Sequence, residues 1–318
     1  MILTSAAQNT LCEIGEQLDG GVWPRVMRGG IVVPSDSATP YSSGPETKNV
    51  RAKPRAEAGI ETPKRQGARE ASSPRAAPQP PGPTAPVICR DLKSQYRTEI
   101  KELPAFYPGL RVWEQENGFW LLSSSALLPG SSSSGATFLT GILYSVPQIR
   151  SWGFWGSPGL PAVWIGPRHT NSPDGSVCAF DPIDGSWSIG DPLVDVLDLH
   201  SLWALRHLYL RVFGRWPGLQ SSPFDFERRI ECAADEICGC GRSGLSYAAC
   251  CQAKDLKENL VVGAVRYGLR FGLRQPPEAI CRFVYREVDP PSLERSIIAS
   301  PAPFEAWPIP VITPGPTA

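Results

Sequence analysis

Apolar positions along this chain recur first at a helical period, then at a strand period, then at a helical period again. The run ICRDLKSQYRTEIKEL, starting at Ile88, reads as an amphipathic helix that ends before Pro104. The runs LRVWEQ, GFWLLSSSAL, ATFLTGILYSV and AVWIG that follow are short and β-rich, and Pro, Gly and Ser punctuate them (LLPGSSSSG), which predicts an antiparallel meander. The last run leads straight into a loop, His169 to Cys178, with an Asp174-Gly175 turn at its tip. A long helix is predicted next, with Asp191 as N-cap, Pro192 in the first helical position and Gly214 at its end. Asp195 and Asp198 toward its N-terminal half, with Arg206, His207 and Arg211 toward its C-terminal half, complement the helix dipole. Leu193, Val196, Leu197, Trp203, Leu205, Leu208 and Val212 make it apolar around most of its circumference, so it should be buried. Trp216-Pro217-Gly218 follows. A capped start at Ser222-Pro223-Phe224-Asp225 and the stretch KDLKENLVVGAVRYGLRFG predict two further helices.

Composition changes the picture at the two ends. The 34 prolines of the 318 residues are densest there. Residues 1–86 alternate Pro, Ser, Gly, Arg and Ala with few large apolar side chains, so they are expected to form a disordered leader. A start codon placed too far upstream is the alternative, and it predicts that removing residues 1–85 leaves activity intact. Residues 288–318 read as a disordered Pro-rich tail.

Charge and hydropathy then exclude several classes. Thirty-one basic and 31 acidic residues give a net charge of zero, so no global field favours nucleic acid or an anionic membrane. No apolar run reaches the eighteen residues of a membrane span, and the N-terminus lacks the pattern of a secretory signal. A cytoplasmic, reducing location is the expectation, and there a cysteine cluster favours metal over disulfides.

Nine cysteines are present, and Cys238, Cys240, Cys250 and Cys251 fall within fourteen positions. Four thiolates in two close pairs can close a tetrahedral site, which is what a structural zinc requires; reduced free thiols are the alternative. The pattern resembles the SEC-C zinc motif, in which Cys-x-Cys-Gly-Ser-Gly precedes an aromatic residue and a final Cys-Cys or Cys-His pair. In this chain Arg242 is inserted before Ser243-Gly244. The resemblance implies one zinc that supports folding.

Cys178 is the candidate for reaction chemistry. A thiol just past a tight turn is exposed, and His169, nine positions upstream, is the nearest base in sequence. A cysteine hydrolase using this pair and a structural cysteine packed beneath the next strand are both open on the residues alone. Helix, meander, loop and aromatic helix together resemble the ubiquitin-conjugating enzyme family over residues 87–220. His169-Thr170-Asn171 stands where the family has His-Pro-Asn, and Gly175-Ser176-Val177-Cys178 where it has Gly-Ser-Ile/Leu-Cys. Trp216-Pro217-Gly218 looks more like the bacterial branch.

The resemblance implies an α+β conjugating-enzyme-like fold in which Cys178 takes a C-terminal glycyl group as a thioester and passes it to a lysine amine. In that family Asn171 would stabilise the oxyanion, and His169 would brace the loop more often than act as a base. Thr170 in place of Pro, and a loop one residue shorter than the eukaryotic spacing, are departures that bear on Asn171. Asp174, Asp181 and Asp184 surround the thiol as candidates to deprotonate a lysine or as solvated turn carboxylates. His200 and His207 read as packing or surface residues.

Residues 221–287 form the expected helical zinc module. There Arg266, Arg270 and Arg274 offer either a basic docking face or a solvated helix face. Stand-alone enzymes of this design resemble the conjugating component of cyclic-oligonucleotide antiphage systems, which implies the C-terminus of a cGAS-like nucleotidyltransferase as protein partner. No adenylating nucleotide loop is present in the sequence, so activation is expected from another protein. A non-catalytic adaptor is the alternative of a different class.

Overall fold

The computed structural model describes residues 3–35, 88–130, 135–144, 148–156, 163–179, 186–241, 244–272, 274–286 and 289–298. Its first elements are helix α1 (Ser5–Asp19) and a two-stranded hairpin, β1 (Arg25–Met27) and β2 (Ile31–Val33). Thr4 caps α1 by accepting the N–H of Ala7 at 3.3 Å. Helix α2 (Ile88–Glu102) precedes a five-stranded antiparallel meander in the order β3 (Arg111–Gln115), β4 (Gly118–Ser125), β5 (Ala136–Leu143), β6 (Gln148–Trp155), β7 (Val163–Trp164). The long helix α3 (Leu193–Phe213) follows the loop. Then come α4 (Asp225–Glu231), α5 (Tyr247–Cys250), α6 (Gln252–Asp255), α7 (Leu260–Phe271), α8 (Glu278–Arg286) and α9 (Leu293–Ile297).

The period-2 pattern of the meander is used on both faces. Phe119 and Leu121 of β4 and Ile142 of β5 pack with Leu92 and Tyr96 of α2 and Leu193 and Leu197 of α3. Trp120, Leu122, Leu139 and Trp152 point the other way, onto Ile280, Phe283 and Val284 of α8 and Leu293 and Ile297 of α9. A sheet covered on both faces needs nearly continuous apolar strands. That is why every residue of β5 is buried, Thr137 and Thr140 included.

Helix α3 is buried through most of its length, as its apolar circumference predicts, and Gly214 closes it at φ 74°. Its N-terminus differs from expectation. Pro192 stands at the cap position; Asp191 instead accepts the N–H of Ser188 at 2.7 Å, and Glu99 of α2 accepts the N–H of Leu193 at 2.7 Å. Inside the core the Tyr107 hydroxyl donates to Asp198 at 2.6 Å, and Ser125 and Ser201 share a bond at 2.8 Å. Burial pushes the Asp198 carboxyl up to about 7.

Both predicted disordered ends need correction. Residues 3–35 of the expected 1–86 leader are part of the core: Leu11, Ile14 and Val32 are completely buried and Leu18 and Val26 nearly so, against Leu202, Leu205 and Leu208 of α3. Their few large apolar side chains fall on one helix face and one hairpin face, so a low average still covers α3. The Trp-Pro-Gly turn clasps the same helix: Gly218 donates its N–H to Asp19 at 2.7 Å, at a φ of +74°. Residues 36–86 lie outside the described residues. Of the expected 288–318 tail, α9 sits on the sheet, where the indole of Trp120 donates to Pro291 O at 3.0 Å. Residues 299–318 lie outside the described residues. Strand β6, with no counterpart among the expected runs, lies inside the sheet between β5 and β7.

Candidate functional site

The His169–Cys178 loop is a hairpin anchored from beneath. Thr170 and Val177 face each other across an antiparallel bridge, and Asn171 donates its N–H to Ser176 O at 2.7 Å. Gly175, at φ +63°, turns the tip and donates to Asn171 O at 2.9 Å. Two indoles from the sheet hold that tip, Trp152 donating to Asp174 O (2.9 Å) and Trp164 to Gly175 O (3.2 Å). Val177 donates to Ser151 O of β6 at 2.7 Å. The chain then emerges with Cys178 exposed, its N–H bonded to His169 O at 3.1 Å.

The side chains of this loop serve distinct ends. The Asn171 amide donates to Ser176 Oγ (3.2 Å) and Val177 O (3.1 Å), so both its N–H groups are engaged within the hairpin. Asp174 is buried, accepts the N–H of Ser176 at 3.0 Å and lies 3.7 Å from Arg150; it is a turn-building carboxylate. Asp181 and Asp184 lie outside the described residues. The His169 ring packs 4.1 Å from the Trp216 ring centroid, with its Nε2 buried. Burial above all, with Arg168, His207 and Arg206 adding to it, holds this imidazole well below the usual histidine range. His200 stacks on Phe138 and His207 sits between Trp203 and Trp216. Burial lowers both to about 3, with Arg168 adding to the effect at His207, so they are neutral packing residues.

Two arginines hold the loop from outside. Arg168, buried, forms an ion pair with the fully buried Glu236 and donates to Glu231 O at 2.7 Å and Gln220 at 2.5 Å. Glu236 also accepts the N–H of Trp216 at 2.6 Å. Arg274 donates to Pro167 O at 3.1 Å and is bonded to Glu227 and Tyr267, with Glu231 at 3.5 Å. Burial lowers the Arg274 guanidinium, while the Cys178 sulfur acts in the opposite direction. Arg274 therefore does not belong to an exposed basic face, unlike Arg266 and Arg270, which are exposed on α7. Next to it, Gln275 donates its N–H to Pro173 O at 3.3 Å. The Arg168 and Arg274 clamps escape local sequence reading because their partners lie 68 and 107 positions away.

The second constellation is the cysteine cluster. The sulfurs of Cys238, Cys240, Cys250 and Cys251 all lie within 4.8 Å of one another and could together hold a metal ion. Cys240 and Cys251 each lie 3.7 Å from Cys250, far beyond the roughly 2.05 Å of a disulfide. Two short segments bring them together: Cys238 donates its N–H to Leu245 O at 2.8 Å, Ile237 pairs with Ser246, and Ser246 caps α5. Burial pushes the Cys238 thiol up to about 12, with side-chain hydrogen bonds to the surrounding cysteines raising it further. Beside the cluster, Arg228 and Asp255 form a buried bidentate pair at 2.8 Å that ties α4 to α6. The helix starting at Asp225 has Phe224 at its N-cap position and no side-chain cap, and the N–H of Ser222 bonds Gly239 O at 2.7 Å.

No family model, no curated protein and no solved structure matched this chain in comparisons with known proteins.

Proposed function

We propose that this protein is a ubiquitin-conjugating-like acyl transferase whose Cys178 carries a C-terminal glycyl group as a thioester. The observation that supports this most directly is Cys178 itself, exposed at the exit of a hairpin whose other groups are engaged in holding it. Helix α2, the antiparallel meander, the loop and α3 follow one another in the order such a scaffold requires. The thiolate attacks the carbonyl carbon of a glycyl group activated by a separate protein, and the activating group leaves. A lysine amine of the acceptor then attacks the thioester, loses its proton to a base, and releases the Cys178 thiolate. Arg274 holds the loop through Pro167 O, two residues before the His169 carbonyl that binds the Cys178 N–H. Asn171 acts by fixing the hairpin and His169 by packing against Trp216.

The proposed donor is the C-terminus of a cGAS-like nucleotidyltransferase in bacterial antiphage defence, and the proposed location is cytoplasmic. Among the described residues no helix is long and apolar enough to cross a membrane. The four cysteines are proposed to hold one structural zinc. A tetrahedral site with Zn–S near 2.3 Å spaces its sulfurs about 3.8 Å apart, which fits the 3.7 Å separations observed. All four positions would be filled by protein, so the metal would supply folding stability and take no part in acyl transfer. A second reading, a binding adaptor, draws on Val261, Val262, Val265 and Leu269, which α7 leaves exposed. A reductant-sensitive adduct on Cys178 tests the first reading against the second.

A further inference from the structure

We infer that metal occupancy of the four-cysteine cluster governs the reactivity of Cys178, through Glu236 and Arg274 acting as positioning residues for the hairpin. The inference rests on the metal reading of the cluster but not on acyl transfer.

The connection runs through the backbone that carries the cysteines. Glu236 lies two positions before Cys238, and its carbonyl accepts the N–H of Tyr247, three positions before Cys250. The bridge of Ile237 with Ser246 and the bond from Cys238 to Leu245 complete the pairing of the two cysteine-bearing segments. Glu236 is therefore held in place by the pairing that a metal would lock. Its fully buried carboxylate faces Arg168, Trp216 and Gln220, and Arg168 is the residue before His169, whose carbonyl binds the N–H of Cys178.

A second clamp reaches the hairpin from the same module. Arg274 holds Pro167 O, and its own carboxylate partners, Glu227 and Glu231, lie on α4. Helix α4 is fixed to the segment after the last two cysteines by the Arg228–Asp255 pair. Gly175 leaves no room for a side chain, because a Cβ there would lie 2.9 Å from the Gln275 backbone. The hairpin thus touches the module at Pro167, Arg168, Pro173 and Gly175. Opening the cluster releases Glu236 and lets α4 shift, which draws the Arg274 charge away from Pro167 and from the hairpin that pairs His169 with Cys178. At neutral pH, below the ordinary thiol pKa of about 8.5, losing a nearby cation lowers the thiolate fraction and slows reaction with an electrophile.

The experiment uses the full chain with its metal content measured. Iodoacetamide alkylation of Cys178 is followed by peptide mass spectrometry at pH 7, which separates Cys178 from the cluster thiols. Stripping zinc with a chelator is expected to slow Cys178 alkylation about fivefold or more, and restoring zinc to reverse it. Glu236→Gln, with zinc stoichiometry and thermal transition checked, is expected to slow it in the same direction while metal stays bound. Arg274→Lys is expected to retain most of the rate and Arg274→Gln to lose it. An unchanged or faster rate in both the stripped protein and metal-loaded Glu236→Gln overturns the inference. A chain that never binds metal overturns it too, and is told apart by elemental analysis. Failure to form a thioester leaves these rates untouched and bears only on the acyl-transfer reading.

Discussion

Cys178 donates its backbone N–H to the carbonyl of His169 at 3.1 Å, yet the two side chains part: the thiol is exposed while the imidazole packs on Trp216. The nine-residue spacing that suggested a Cys/His pair instead closes a hairpin. A histidine held well below its usual range has no proton to exchange near neutrality. The alkylation rate of Cys178 between pH 5.5 and 8 should therefore have the same pH dependence in His169→Asn as in the natural protein. A second inflection near 6.5 that disappears in His169→Asn would contradict this placement.

Residues 3–35 carry core side chains, so a chain lacking residues 1–35 should lose its cooperative thermal transition. Leu11→Ala, which empties a fully buried position against α3, should cost about 2–5 kcal/mol in urea unfolding. A stable, fully cooperative truncated protein would show that α1 and its hairpin are dispensable.

His200 is completely buried beside Phe138, and burial holds it at about 3. A folded-state value below the unfolded one means the unfolded chain takes up the extra proton. The resulting stability is complete above about 6.5 and is lost progressively as pH falls toward 3. His200→Leu removes this linkage and replaces an unpaired imidazole with an apolar side chain. Its stability relative to the natural protein should rise by about 1.4 kcal/mol between pH 7.5 and pH 5.5. A gap constant with pH would mean that the imidazole titrates alike in the folded and unfolded chain.

Elemental analysis of protein purified without chelator should find about one zinc per chain. Cys240→Ser should lower that ratio and the thermal midpoint together, since a structural metal contributes directly to folding. Full stability in metal-free protein would remove the structural role.

Elements whose pattern is local were legible in the sequence. Helix α2, strands β3, β4, β5 and β7, and the buried α3 follow from apolar period and punctuation. Strand β6 was not: Pro147 precedes it, and Gly153 breaks its run of large side chains. The fold explains that glycine, because a Cβ there would lie 2.8 Å from the Trp203 ring. Helix α1 carries a readable stripe of Leu11, Ile14 and Leu18, hidden by the Pro-rich composition that follows it. The four cysteines were legible as a cluster because their pairs are close in sequence, and the fold brings all four together. Arg168 and Glu236 gave no signal, and Arg274 read only as part of a basic or solvated helix face, because a buried ion pair between distant residues has no period to detect.

The central claim is that Cys178 carries an acyl group. Incubating the protein with an activating enzyme and a cGAS-like nucleotidyltransferase ending in glycine should give an adduct that thiol reductant releases. Cys178→Ser should replace it with a reductant-resistant, hydroxylamine-sensitive ester, and Cys178→Ala should give none. An adduct that persists in Cys178→Ala, or none in the natural protein while it still binds the nucleotidyltransferase, would contradict the account and leave a binding adaptor.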